Sequence, residues 1–136
     1  MIQRMSHFAI YVLDQERALG FYRDKLGFEV RADSRVGPFR WLTVGPKSQP
    51  DVEIILMQVG PGPLIDAPTA DALRVLVGKG ALCAGVLETT DVHRTYEELK
   101  SRGVEFGGPP EERHYGIECI MKEDSGNWFS VTQRKR

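Results

Sequence analysis

HFAIYVLDQERALGFYRDKLGF, residues 7–28, is the stretch on which the fold turns. Phe8, Ile10 and Val12 alternate with His7, Ala9 and Tyr11, so its first six residues read as a strand with one apolar and one mixed face. Asp14 follows as an N-cap, because its carboxylate can accept from the free amides of a first helical turn. Ala18, Phe21, Tyr22 and Leu26 then share a helical face, and Gly27 supplies the left-handed stop. Three strands follow: FEVRA (28–32), FRWLTVG (39–45) and, after the turn GPKSQP, DVEIILMQV (51–59).

The same order is written again further along. ALCAGVLET (81–89) is a strand, Asp91 a cap, and VHRTYEELKSRG a helix with Val92, Tyr96 and Leu99 on one face and Gly103 at its end. VEF, GIECIMKE and WFSVTQ are strands, the last two joined by the turn DSGN. GPPEER reads as a loop. Between the copies, residues 60–80 form a Gly/Pro-rich linker and a short helix, TADALRVLVG, with Ala72, Leu73, Leu76 and Val77 on its apolar side. The chain is therefore an α+β protein built from two tandem βαβββ modules, about 1–59 and 81–136, within one domain spanning 1–136.

Bulk properties narrow the function. Of 136 residues 41% are hydrophobic and 27% charged, which suits a globular domain and not a disordered chain. A net charge of −1 provides no field to gather nucleic acid, and the terminal QRKR reads as a solvated end. Cys83 and Cys119 sit in apolar runs without close partners, so both read as buried free thiols rather than a disulfide or zinc framework. The N-terminus lacks a signal-peptide pattern, and no apolar run reaches the roughly 18 residues that span a bilayer. A soluble cytoplasmic protein with no membrane or nucleic-acid partner is expected.

The spaced motifs HFAIYVLDQERALGFYRDKLGF, DVHRTYEELKSRGVEF and DSGNWFSVTQ resemble the vicinal oxygen chelate superfamily, which includes glyoxalase I, extradiol dioxygenases and bleomycin-resistance proteins. The resemblance implies eight mostly antiparallel strands curled into a cup, helices outside, a small ligand inside, and pairing of two chains. It also implies four metal-facing positions, one near the start of each module's first strand and one on each last strand. His7 and Glu53 occupy the first two, and imidazole with carboxylate suits Zn, Ni, Mn, Fe or Mg. The second module offers Ala84, seven residues before Asp91, and Ser130 after SGNWF, so the ligand set is incomplete.

Three routes would restore a site. A one-residue slip would aim Cys83 rather than Ala84 inward. Glu118 or His114 would donate from a neighbouring strand or loop. A hard ion such as Mg²⁺ would be held by few protein oxygens and by water. Without a metal, His7 and Glu53 form a hydrogen-bonded pair that can still move protons. Tyr11, Ile55 and Met57 share faces with that pair. Phe39 and Trp41 lie on the adjacent strand, Tyr115 stands at a strand entrance, and Trp128 and Thr132 flank Ser130. Such aromatics around a few polar groups describe a small-molecule pocket. Phe8, Ile10, Val12, Ile54, Leu56, Phe129 and Val131 are assigned to the core.

Two functions follow. One is a protein that holds a small organic molecule without turning it over, with no cofactor. The other is a glyoxalase-type lyase or isomerase, or a dioxygenase-type enzyme, using His7 and Glu53 with a rearranged ligand set.

Overall fold

The computed structural model describes residues 1–136, which divide into two compact units, Met1–Val75 and Leu76–Arg136. The division falls inside a helix, α2 (Ala67–Gly78). No helix is long and apolar enough to cross a membrane.

In the first unit, strand β1 (His7–Val12) leads into helix α1 (Gln15–Gly20), and the Asp14 carboxylate accepts from the Arg17 amide at 2.9 Å as the cap requires. The helix continues as a wider π-type turn over Phe21–Lys25, closed by the Leu26 amide donating to the Phe21 carbonyl at 3.1 Å. Ala18, Leu19, Phe21 and Tyr22 are buried, whereas Leu26, expected on this face, lies beyond the widening, which rotates it, and is only half-buried. Gly27 stops the turn at φ 74°.

Strands β2 (Glu29–Val36), β3 (Phe39–Gly45) and β4 (Glu53–Gln58) complete a sheet of order β1-β4-β3-β2, in which only β1 and β4 run parallel. Ile10, Val12, Leu42, Val44, Ile54 and Leu56 on one sheet face are buried, and Phe8 on the same face is half-buried. The opposite face carries His7, Tyr11, Trp41, Thr43, Glu53, Ile55 and Met57, as strand alternation demands.

The second unit repeats the plan. Strand β5 (Cys83–Glu88) precedes helix α3 (Val92–Ser101), capped by Asp91 accepting from the Arg94 amide at 3.1 Å, with Val92, Tyr96 and Leu99 buried. Strands β6 (Glu105–Phe106), β7 (Glu111–Arg113), β8 (Gly116–Lys122) and β9 (Trp128–Arg134) complete a sheet of order β5-β9-β8-β6, with β7 also paired to β8. The chain thus has nine strands and not eight. GPPEER is not wholly a loop, because β7 hydrogen-bonds back onto β8 across the two-residue turn His114–Tyr115. Helix α2 buries Ala70 and Val77, while Leu76 and Ala72, expected on its apolar side, are exposed. Cys119 is buried as expected, but Cys83 is exposed, since it opens β5 on the face turned away from the helix-side core.

A shared device fixes strand register in both units. The Gln15 amide, first after the Asp14 cap, donates to Gln58 Oε1 at 3.0 Å, and the Val92 amide, first after Asp91, donates to Gln133 Oε1 at 3.0 Å. Gln58 and Gln133 therefore mark equivalent points on β4 and β9.

Candidate functional site

The open face of the first unit's sheet holds the pair that opens the sequence. His7 and Glu53 are direct partners in the parallel β1–β4 ladder, which sets their side chains beside each other on one face. His7 Nε2 lies 2.9 Å from Glu53 Oε2, and the two side chains are 37% and 30% exposed, so water and a ligand both reach them. The other Glu53 oxygen accepts from the buried Thr43 hydroxyl at 2.6 Å, and Ser6 Oγ lies 2.8 Å from His7 Nδ1. A ring protonated at Nε2 donates to Glu53 and accepts from Ser6, so every polar atom of the pair has a protein partner. The oddity of a carboxylate at the head of an apolar strand face is resolved by Thr43, one strand away, which the sequence reading overlooked. A hydroxyl-bearing β-branched residue two positions after Trp41 in an otherwise apolar strand was the available signal.

Aromatic and thioether surface surrounds this pair. The His7 and Trp41 rings lie 6.0 Å apart, and the Trp41 and Phe39 rings 6.4 Å apart. Phe39 is exposed, while Trp41, Tyr11, Ile55 and Met57 are half-buried. These side chains offer apolar area next to a hydrogen-bonding pair.

The open face of the second unit carries a different polar cluster. Ser130 donates to Glu118 Oε2 in a short hydrogen bond and lies 2.7 Å from Thr132 Oγ1; both hydroxyl residues are buried. Tyr115 Oη donates to Glu118 Oε1 at 2.7 Å, and Arg113 Nε stands 3.7 Å from the same oxygen. Hydrogen bonds from Ser130 first and Tyr115 next hold the Glu118 carboxyl below the usual carboxylate range. The same carboxylate pushes the Tyr115 phenol upward, since losing its proton would break that bond. Ser130, Glu118 and Tyr115 thus come together. His114 does not join them; it is exposed in the turn, with its ring edge-on to Tyr115 at 5.0 Å. Ala84 falls in a bulge of β5, where pairing shifts between Cys83 and Gly85, and Trp128 pairs with Cys83.

Register corrects one expected correspondence. Five residues before Gln58 stands Glu53, whereas five before Gln133 stands Trp128; three before, the residues are Ile55 and Ser130. Glu53 and Ser130, taken from the sequence as counterparts, therefore occupy different levels of their strands. Neither level carries a carboxylate in both copies. The residues present do not fit a resident divalent ion. His7 and Glu53 engage each other directly, and nowhere do three or more His, Cys, Asp or Glu side chains gather where they could hold one. Restoring the site through Cys83, Glu118 or His114 brings none of these into such a group.

Comparison with known proteins bears on this geometry. Residues 4–131 match the family model of the Glyoxalase/Bleomycin resistance protein/Dioxygenase superfamily. The chain is 33% identical to protein YetH of Bacillus subtilis (strain 168) over 135 residues, covering 98% of this chain and 100% of the other. The crystal structure of UcmS2 is similar with a TM-score of 0.92 at 48% identity, covering 98% of this chain and 99% of that one. TnmS3, an antibiotic binding protein from Streptomyces sp. CB03234, is similar with a TM-score of 0.77 at 28% identity, covering 98% of each chain.

Proposed function

Because the chain belongs to the glyoxalase/bleomycin resistance protein/dioxygenase superfamily, we propose that it binds and sequesters a small organic molecule, an antibiotic or a compound like one, without transforming it. The observation that carries this reading is the first unit's open sheet face. There an aromatic surface of Trp41 and Phe39 adjoins a His7–Glu53 pair whose polar atoms are already satisfied, with no third donor assembled beside it. Covering such a face removes apolar area from water at roughly 25 cal/mol per Å², while the lone pairs that Glu53 keeps beyond its His7 and Thr43 bonds orient a donor group of the ligand. The similarity to TnmS3, an antibiotic binding protein, supports the same class of ligand. We place the protein as a homodimer in the cytoplasm; the two unbonded thiols suit a reducing compartment.

A second reading keeps the pair chemically active. With Glu53 holding the ring at Nε2, 2.9 Å away, a bound molecule that displaces the Ser6 hydroxyl from Nδ1 can exchange a proton with the imidazole there. One experiment separates the two. Purified protein is dialysed against a panel of antibiotics that includes bleomycin, and each retained compound is recovered and its mass measured. Sequestration predicts saturable retention of an unaltered compound, weakened about tenfold by Trp41→Ala, as loss of a buried aromatic anchor costs on the order of 1.4 kcal/mol or more. A changed mass that reverts in His7→Ala establishes the catalytic reading instead. Retention of nothing in the panel rejects sequestration of this ligand class.

A further inference from the structure

A second groove lies wholly within the Leu76–Arg136 unit. It encloses about 560 Å³ between the turn after α2 (Lys79, Gly80), β6 with the residue after it (Glu105, Phe106, Gly107), β8 (Ile120, Lys122), the β8–β9 turn (Gly126) and the start of β9 (Trp128). Trp128 and Ile120 lie on the open face of the sheet, together with Lys122, which is the register partner of Trp128. Glycines keep this groove open. Gly126 and Gly80 both have positive φ, at 119° and 78°, and a Cβ on Gly126 would stand 2.3 Å from the Val77 carbonyl oxygen. The β8–β9 turn thereby meets the end of α2 backbone to backbone, with no side chain projecting from these positions.

The charges of the groove are unbalanced. Lys79 and Lys122 are exposed and close no ion pair or hydrogen bond, and Glu105 lies opposite Lys122 in the β6–β8 ladder without reaching it. The backbone amides of Gly80 and Gly107 already donate to the Val77 and Ile120 carbonyls, so the ammonium groups are the charged donors left for a guest. Two ammoniums against one carboxylate, beside a half-buried indole, complement a flat apolar body bearing one negative charge.

We propose that this groove is a binding site for planar aromatic carboxylates or phenolates, with Trp128 and Ile120 contacting the ring system and Lys79 and Lys122 neutralising its charge. The site is independent of the reading given to the His7 face, and either can fail alone. Its size matches the range of small-molecule sites, of about 300–1,000 Å³.

The test uses the whole chain, 2-naphthoate as the anionic probe and naphthalene-2-carboxamide as its neutral isostere. Calorimetric titration is expected to give at least tenfold tighter binding of 2-naphthoate, with the advantage shrinking as salt rises. In the double variant Lys79→Gln/Lys122→Gln the two probes bind alike. The two tryptophans give separate indole N–H resonances in NMR, assigned with Trp41→Phe. 2-Naphthoate is expected to shift the Trp128 signal and leave Trp41 unmoved. Equal affinity for both probes, a preference that survives the double lysine variant, a shift at Trp41 in place of Trp128, or no saturable binding of either probe overturns the proposal.

Discussion

Removing the hydroxyl of Ser130 tests the second unit's polar cluster most directly. Ser130→Ala deletes the donor to Glu118 Oε2 and the contact with Thr132 Oγ1, both in surroundings where water enters poorly, because Ser130 and Thr132 are 5% and 2% exposed. A hydrogen bond to a charged acceptor contributes about 1.5–3 kcal/mol, so a loss of about 2 kcal/mol at pH 7 is expected. For a chain of this size that corresponds to a melting temperature lower by about 6 °C. The sign of the pH dependence follows from Glu118. Its carboxyl is held below the usual range in the folded state, so its stabilising contribution is complete above that range and is lost as pH falls through the depressed value. The gap between wild type and Ser130→Ala therefore narrows as pH is lowered from 7 towards about 3. Calorimetric melting across that interval measures it. A variant as stable as wild type at pH 7, or a deficit that stays constant down to pH 3, refutes the role assigned to Ser130.

Three further outcomes are expected. Ellman titration of the native protein reports one reactive thiol, Cys83, and a second only after denaturation, since Cys119 is buried and burial pushes its thiol up to about 11. Gly126→Ala lowers the melting temperature markedly: the positive φ alone costs about 1 kcal/mol, and the new methyl meets the Val77 carbonyl oxygen at 2.3 Å. Leu56→Ala, in a fully buried position of the first unit's core, costs about 2–5 kcal/mol in urea unfolding, with the m-value retained.

What could be read from the sequence was what local chemistry decides. Asp14 and Asp91 cap helices because the carboxylate reaches an amide three residues on, and Gly27 stops a helix because only glycine takes φ 74° without strain. The alternation that buries Ile54 and Leu56 and leaves Glu53 and Ile55 on the open face is equally local. Features that depend on pairing were hidden. The strand Glu111–Arg113 has no apolar residue to betray it and exists because β8 supplies its hydrogen bonds. The bulge at Ala84 shows only in the register between β5 and β9, and with it the exposure of Cys83. Leu26 is turned partly out of the core because the π-type turn before it adds a residue's rotation that a 3.6-residue period does not anticipate. Of the candidate site, the contact between His7 and Glu53 could be anticipated from two strand faces, but Thr43 and the Tyr115–Glu118–Ser130 cluster required knowing which strands are neighbours.

The glutamines at the ends of β4 and β9 have a consequence for how such a protein diversifies. Each ties a strand to the start of its helix from the covered side, so alignment of the ladder is settled without help from the uncovered surface. Mutation can then repaint that surface, histidine to cysteine or glutamate to tryptophan between the two halves of this one chain, while the scaffold beneath stays in step. A lineage equipped in this way can change what it holds by single substitutions and keep its architecture through each of them.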